Sequence, residues 1–238
     1  MISAFEFFLC FFVLDPISFN LDFTSYEKFF KREFPMKKLD FVEAPNLPTE
    51  GMENPGIIMI HSSFFPVNFW DPLNVVNSAT LFYNLICSIW IGHELQIQWW
   101  DCLWLKKALN EFLSYHSISY VSTKTQRKNI YYSEDDYKLV ACKKKNWGYV
   151  DGTNNSELNV LRDFETDKDA RDAFDDITYA RSLGLLNYLN QRYTVTFIHS
   201  LRNIFELAGT EKKLDYQLFK HILKNSYYHS SGIMRERN

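Results

Sequence analysis

His93 and Glu94 are the residues whose types and spacing first suggest chemistry. Residues four apart on a helix share one face, and a zinc peptidase helix exploits this with His-Glu-x-x-His. Two imidazoles then point at one metal, and the Glu beside the first His polarises the bound water. Here the run is His93-Glu94-Leu95-Gln96-Ile97, and the isoleucine has no lone pair to give a metal. On spacing alone, the commoner reading is a His and a Glu at the end of a helix. A second candidate is Glu50-Gly51-Met52-Glu53-Asn54, where Glu53 either binds a ligand or caps a turn before Pro55. His61, His116, His199, His221 and His229 have no ligand-like partners by spacing, although a fold-back of His116 stays open.

These residues need elements to position them. Leu39–Ala44 alternates between prolines and predicts a strand. Gly51–Ile60 turns and then runs apolar and β-branched, which predicts a second. From Asn77 to Trp100 apolar residues recur at helical spacing, with no Gly or Pro before Gly92, so one long buried helix carrying His93 and Glu94 is expected. Further helices are predicted over 101–121, 173–193, 197–207 and 215–225, with loops and short helices over 122–170 and a polar, frayed tail from Ser226. The run Lys143–Lys145 reads as a solvated face. Strands first and helices after point to an α+β fold.

Composition bounds the function. With 238 residues, 46% hydrophobic and 23% charged, the chain has material for a sizeable core. Its 21 Phe and 14 Tyr predict that this core is rich in aromatics. A net charge of -3 supplies no basic field, so nucleic acid is excluded as a partner. The four cysteines include no Cys-x-x-Cys pair, and so indicate neither a cysteine zinc site nor a disulfide framework. The apolar run Phe7–Leu14 is too short to span a membrane and has Glu6 rather than a cation before it. It leaves the compartment open between cytoplasmic and cell-surface or secreted, and no other run suggests membrane association. Neither a phosphate-binding glycine loop nor Gly-x-Ser-x-Gly is present.

Several motifs, taken in order, carry a resemblance. Glu50-Gly51-Met52-Glu53-Asn54 resembles the Gly-Ala-Met-Glu-Asn of the membrane alanyl aminopeptidase family, gluzincins that include aminopeptidase N and leukotriene hydrolase. Tyr26-Glu27-Lys28-Phe29-Phe30 and Phe34–Asp40 look like the family's run into that motif. His93–Trp99 resembles its His-Glu-Leu-x-His-Gln-Trp, and Trp100–Leu105 its Trp-Asp-Asp-Leu-Trp-Leu. Phe174–Tyr179 resembles the segment carrying the catalytic tyrosine. The resemblance spans roughly residues 26 to 222, with 1–25 an uncertain apolar segment, 26–225 the catalytic-type domain and 226–238 a polar tail.

The resemblance implies a thermolysin-like domain, with a small sheet followed by a helical lobe and the site between them. It implies zinc as cofactor, His93 and Glu111 as ligands, Glu94 as general base and Tyr179 as oxyanion stabiliser. Gly51, Met52, Glu53 and Asn54 would bind substrate, with Glu53 on the free amine of a peptide. The departures from the family pattern are as informative. Ile97 replaces the second His ligand, Glu50 replaces a Gly, and the stretch from Trp99 to Asp101 is shorter than the family's. Depending on the anchor, the third ligand is Lys107, a cation, or Glu111 within Leu109-Asn110-Glu111. A catalytic zinc takes three protein ligands and an open position, and the best count here falls short. The expectations are therefore a metallo-aminopeptidase relative with impaired chemistry, a pseudoenzyme binding peptide N-termini or a protein partner, or a non-functional fragment. The chain has room for neither the family's N-terminal β-domain nor its C-terminal helical domain, so a catalytic domain on its own is expected.

Overall fold

A computed structural model describes residues 24–64, 72–124, 165, 166, 168, 169 and 176–230. The apolar run near the N-terminus, the Lys143–Lys145 run and nearly all of 122–170 lie outside the described residues. Helix α1 (Thr24–Phe30) leads into a sheet of β1 (Asp40–Ala44), β2 (Gly51–Asn54) and β3 (Ile57–His61). Helices α2 (Pro72–Trp90) and α3 (Leu103–Lys124) follow, separated by the two-residue strand β4 (Gln96–Ile97). Then come α4 (Asp176–Arg202), α5 (Ile204–Ala208), β5 (Lys213–Leu214) and α6 (Tyr216–Ser230). The result is a small sheet combined with a larger set of helices, an α+β arrangement.

The sheet order is β1-β3-β2, with β1 parallel and β2 antiparallel to β3. The expected turn over 51–54 is itself a strand, paired to β3 from Gly51↔Ile60 to Asn54↔Ile57. Pro55 and Gly56 make the reversal, and Gly56 has φ +83, which the second central position of such a turn requires. Gly51 lets β2 lie close on α2, since a Cβ there would stand 2.5 Å from Leu85 Cδ1. Alternation then aims Glu53 to the same side as Gly51.

The core is built on aromatics. Trp90, fully buried, meets Tyr26, Phe30 and Phe34 at ring-centroid distances of 5.5, 5.8 and 5.0 Å. The Tyr26 hydroxyl donates to the Tyr83 carbonyl at 3.0 Å, so the phenol sits in the core with its polar end satisfied. Leu105, Leu109 and Leu113 of α3 face this core, as their spacing suggests.

Three expectations need correction. The long helix ends at Trp90, not Trp100. The helices expected over 173–193 and 197–207 are one run to Arg202 with a kink at Tyr193 (φ −128, ψ 25), followed by the short α5. The frayed tail does not begin at Ser226, which is wholly buried: α6 continues to Ser230, and the Ser226 carbonyl accepts from Thr196 Oγ1 at 2.8 Å. Burying Ser226 against α4 supplies packing that the polar local sequence does not reveal.

Candidate active site

The end of α2 decides where His93 and Glu94 go. Gly92 has φ +149, a conformation that suits glycine and cannot continue a helix. The Glu94 and Leu95 N–H groups donate back to the Ile89 and Trp90 carbonyls at 3.3 and 2.8 Å, and residues 92–94 form a turn. Asn110 of α3, almost fully buried, donates to the Ile91 carbonyl at 3.2 Å and to Ser88 Oγ at 2.7 Å, closing the helix end from the side. Beyond the turn, Gln96 and Ile97 pair in parallel with Lys213 and Leu214.

This corrects the expected helical placement of His93 and Glu94. His93 and Ile97 are not one turn apart on a helix; they flank a turn and a short strand. Ile97 packs against the core in β4. Replacing Ile97 by His would therefore not set two imidazoles on one helix face.

Glu94 is held by two cations. Arg32, just beyond α1, donates Nη2 to Glu94 Oε1 at 2.7 Å, and Lys212, just before β5, donates Nζ to the same oxygen at 3.2 Å. The carboxylate side chain is 14% exposed. Arg32 also stacks its guanidinium over the Phe205 ring at 4.9 Å. The pairing of β4 with β5 brings Lys212 here, because the Gln96 N–H donates to the Lys212 carbonyl at 3.0 Å. Glu94 thus ties together three segments far apart in sequence.

Glu53 and Glu111 sit in a second cluster. Lys106 Nζ donates to Glu53 Oε1 at 3.0 Å, both side chains being about five-sixths buried. Burial alone would push the Glu53 carboxyl up. The charge and hydrogen bond of Lys106, the Glu53 N–H and the charge of Lys107 outweigh that and hold it below the usual carboxylate value. Burial pulls the Lys107 ammonium down; Glu53 and Glu111 favour its charged form while Lys106 opposes it. Glu111 Oε2 accepts from Asn84 Nδ2 at 3.0 Å. Burial, and then the Glu111 carboxylate, push the Tyr115 hydroxyl well up. Both positions considered for the third ligand thus lie in one charge cluster.

The fit to zinc is poor. Among the described residues no three His, Cys, Asp or Glu side chains converge so as to hold a metal ion. His93 Nε2 is buried and lacks a hydrogen-bond partner among the described residues, while Glu94 and Glu111 are engaged elsewhere. Tyr179 lies in the first turn of α4, and its side chain lies outside the described residues. Sequence reasoning missed Arg32, Lys212 and Lys106. The local signal was a pair of adjacent cations, Lys106 and Lys107, just before Leu109-Asn110-Glu111.

Linkage gives the Glu53–Lys106 pair a pH signature. The Glu53 pKa is lower in the folded chain, so its contribution is present above the unfolded value near 4.5 and is lost as pH falls through the folded value. Glu53→Gln is expected to lower stability at neutral pH by about 1.5–3 kcal/mol, the scale for a charged hydrogen bond. It should also flatten the acid limb of stability below that value. Urea melts of both proteins from pH 7 to pH 3 check this; parallel acid limbs would contradict it.

The model of the peptidase family M1 domain matches residues 19–234 of the chain. The chain belongs to the M1 peptidase family. It is 30% identical over 166 residues to an aminopeptidase N of Haemonchus contortus, covering 69% of this chain and 16% of that protein. An aminopeptidase Q of Felis catus is 24% identical over 223 residues, covering 85% of this chain and 20% of that protein. The human endoplasmic reticulum aminopeptidase 2 is 25% identical over 174 residues, covering 71% and 17%. This M1 chain therefore spans at most a fifth of the length of these relatives. Among the described residues, no helix is long and apolar enough to cross a membrane.

Proposed function

We propose that this M1 domain keeps the thermolysin-like layout and the amine-binding cleft of the zinc aminopeptidases, and binds peptide N-termini or a protein partner without zinc-dependent hydrolysis. The observation that carries this reading is the turn in place of a helix at His93-Glu94, with Glu94 committed to Arg32 and Lys212. A general base needs a free lone pair within reach of a metal-bound water. Two cations on Glu94 work against that role. In this reading Gly51, Met52, Glu53 and Asn54 form the retained binding element, with Glu53 receiving the ammonium. His93, Glu111 and Tyr179 are what remains of the family's site residues, without a complete zinc site.

The rival reading is zinc hydrolysis with another residue in place of the lost ligand. In its favour is the buried Nε2 of His93, which has no hydrogen-bond partner among the described residues. Elemental analysis after dialysis against trace zinc, with an aminoacyl-amide assay, separates the two. The expected result is far less than stoichiometric zinc and no chelator-sensitive turnover. Stoichiometric zinc with chelator-sensitive turnover by the pure chain would establish the rival.

A further inference from the structure

The contact between Glu53 and Lys106 is a carboxylate holding a primary ammonium, and the ammonium comes from the chain itself. Glu53 lies on β2, an edge strand of the sheet, and Lys106 reaches it from the first turn of α3. The reach has its own seat. A Cβ at Gly92 would stand 2.6 Å from Lys106 Cε and 2.9 Å from its Nζ, so the end of the lysine arm lies against the bare backbone of the turn after α2. Gly92 thus serves two purposes: its φ ends the helix, and its missing side chain leaves the path for Lys106.

The local charges support a self-neutralised site. Glu53 and Glu111 supply two carboxylates, and Lys106 and Lys107 two ammonium groups within electrostatic range. Lys106 makes the direct hydrogen bond to Glu53, at 3.0 Å. Any external cation reaching Glu53 must displace the Lys106 ammonium or share the carboxylate with it. A primary ammonium can replace both the hydrogen bond and the charge that Lys106 supplies.

We propose that Lys106 is a tethered occupant of the Glu53 ammonium seat, holding it closed against external primary amines, peptide N-termini among them, until the lysine swings out. This deepens the binding reading above and rests on it. A seat occupied by its tether nine-tenths of the time binds an external ligand about tenfold more weakly. The residue that sets affinity is then on α3, not in the Gly51–Asn54 strand.

The probe is a trialanine peptide with a free amino terminus, titrated calorimetrically into the folded full chain alongside its N-acetyl counterpart. Lys106→Met should bind the free peptide at least tenfold more tightly than wild type, and the double variant Lys106→Met/Glu53→Gln should lose that gain. Lys106→Arg keeps a cation on the seat and should bind no more tightly than wild type. Should the Met variant not fold, Lys106→Gln removes the charge while keeping a donor, and the same gain is expected. Equal, Glu53-dependent binding by wild type and the uncharged variants would overturn the tether and leave the binding reading standing. No binding by any folded variant would overturn both. A gain for the acetylated peptide equal to that for the free one would also overturn the tether, since it would not involve an ammonium.

Discussion

Glu94→Gln is expected to lower stability by about 2–3 kcal/mol while leaving aminoacyl-amide turnover at the same background as wild type. The substitution removes the charge that Arg32 and Lys212 share and leaves two cations facing a neutral amide. Breaking one side of a buried pair costs about 3–5 kcal/mol. The expected loss falls below that range because Arg32 and Lys212 are 39% and 48% exposed and partly solvated. Urea denaturation at low and high salt measures the loss, and salt should narrow the gap between the two proteins. An Arg32→Met/Glu94→Gln double variant should lose less than the sum of the single losses, because the two residues share one interaction. If Glu94→Gln kept full stability but abolished a measurable chelator-sensitive turnover, Glu94 would be a general base and the ion pairs incidental.

Trp90→Ala is expected to cost about 3–5 kcal/mol, the usual range for removing a large buried aromatic. Trp90 closes α2, fills the space between Tyr26, Phe30 and Phe34, and accepts the Leu95 N–H at its carbonyl. The cavity would open beneath the turn that carries His93 and Glu94. Equilibrium urea melts read the loss, and a less destabilising Trp90→Phe would assign it to packing. A loss below about 1 kcal/mol would mean that the site collapses around the gap, which a close-packed core resists.

The two effects are linked through the fold. Aromatic packing fixes the end of α2, and Arg32–Glu94–Lys212 fixes the turn that follows. Together they commit Glu94 to holding segments together. Glu53 remains as a carboxylate that takes an ammonium, with Lys106 already on it.

The family was legible in the sequence, through the order of short motifs from Tyr26 to Tyr179. The sequence showed a sheet region over 39–60 ahead of the main helices, because alternation and helical spacing are local properties of the chain, but it missed β4 and β5 among those helices. It also rules out a metal ligand at position 97, since isoleucine cannot ligate in any fold. The helix end was legible in principle: Gly92, two residues past Trp90, is a stop signal, but the apolar run of Leu95 and Ile97 beyond it mimics continued helical spacing. Those two side chains are in fact kept inside by strands, Leu95 by its bridge to Ile91 and Ile97 by pairing with Leu214. The partners of the charges were set by the folded arrangement alone. Arg32, Glu94 and Lys212 lie 62 and 118 residues apart, and Glu53 and Lys106 lie 53 apart. No local propensity encodes such meetings. They follow from how the sheet, α3 and the β4–β5 pair pack, and that packing sets His93-Glu94 in a turn anchored by ion pairs.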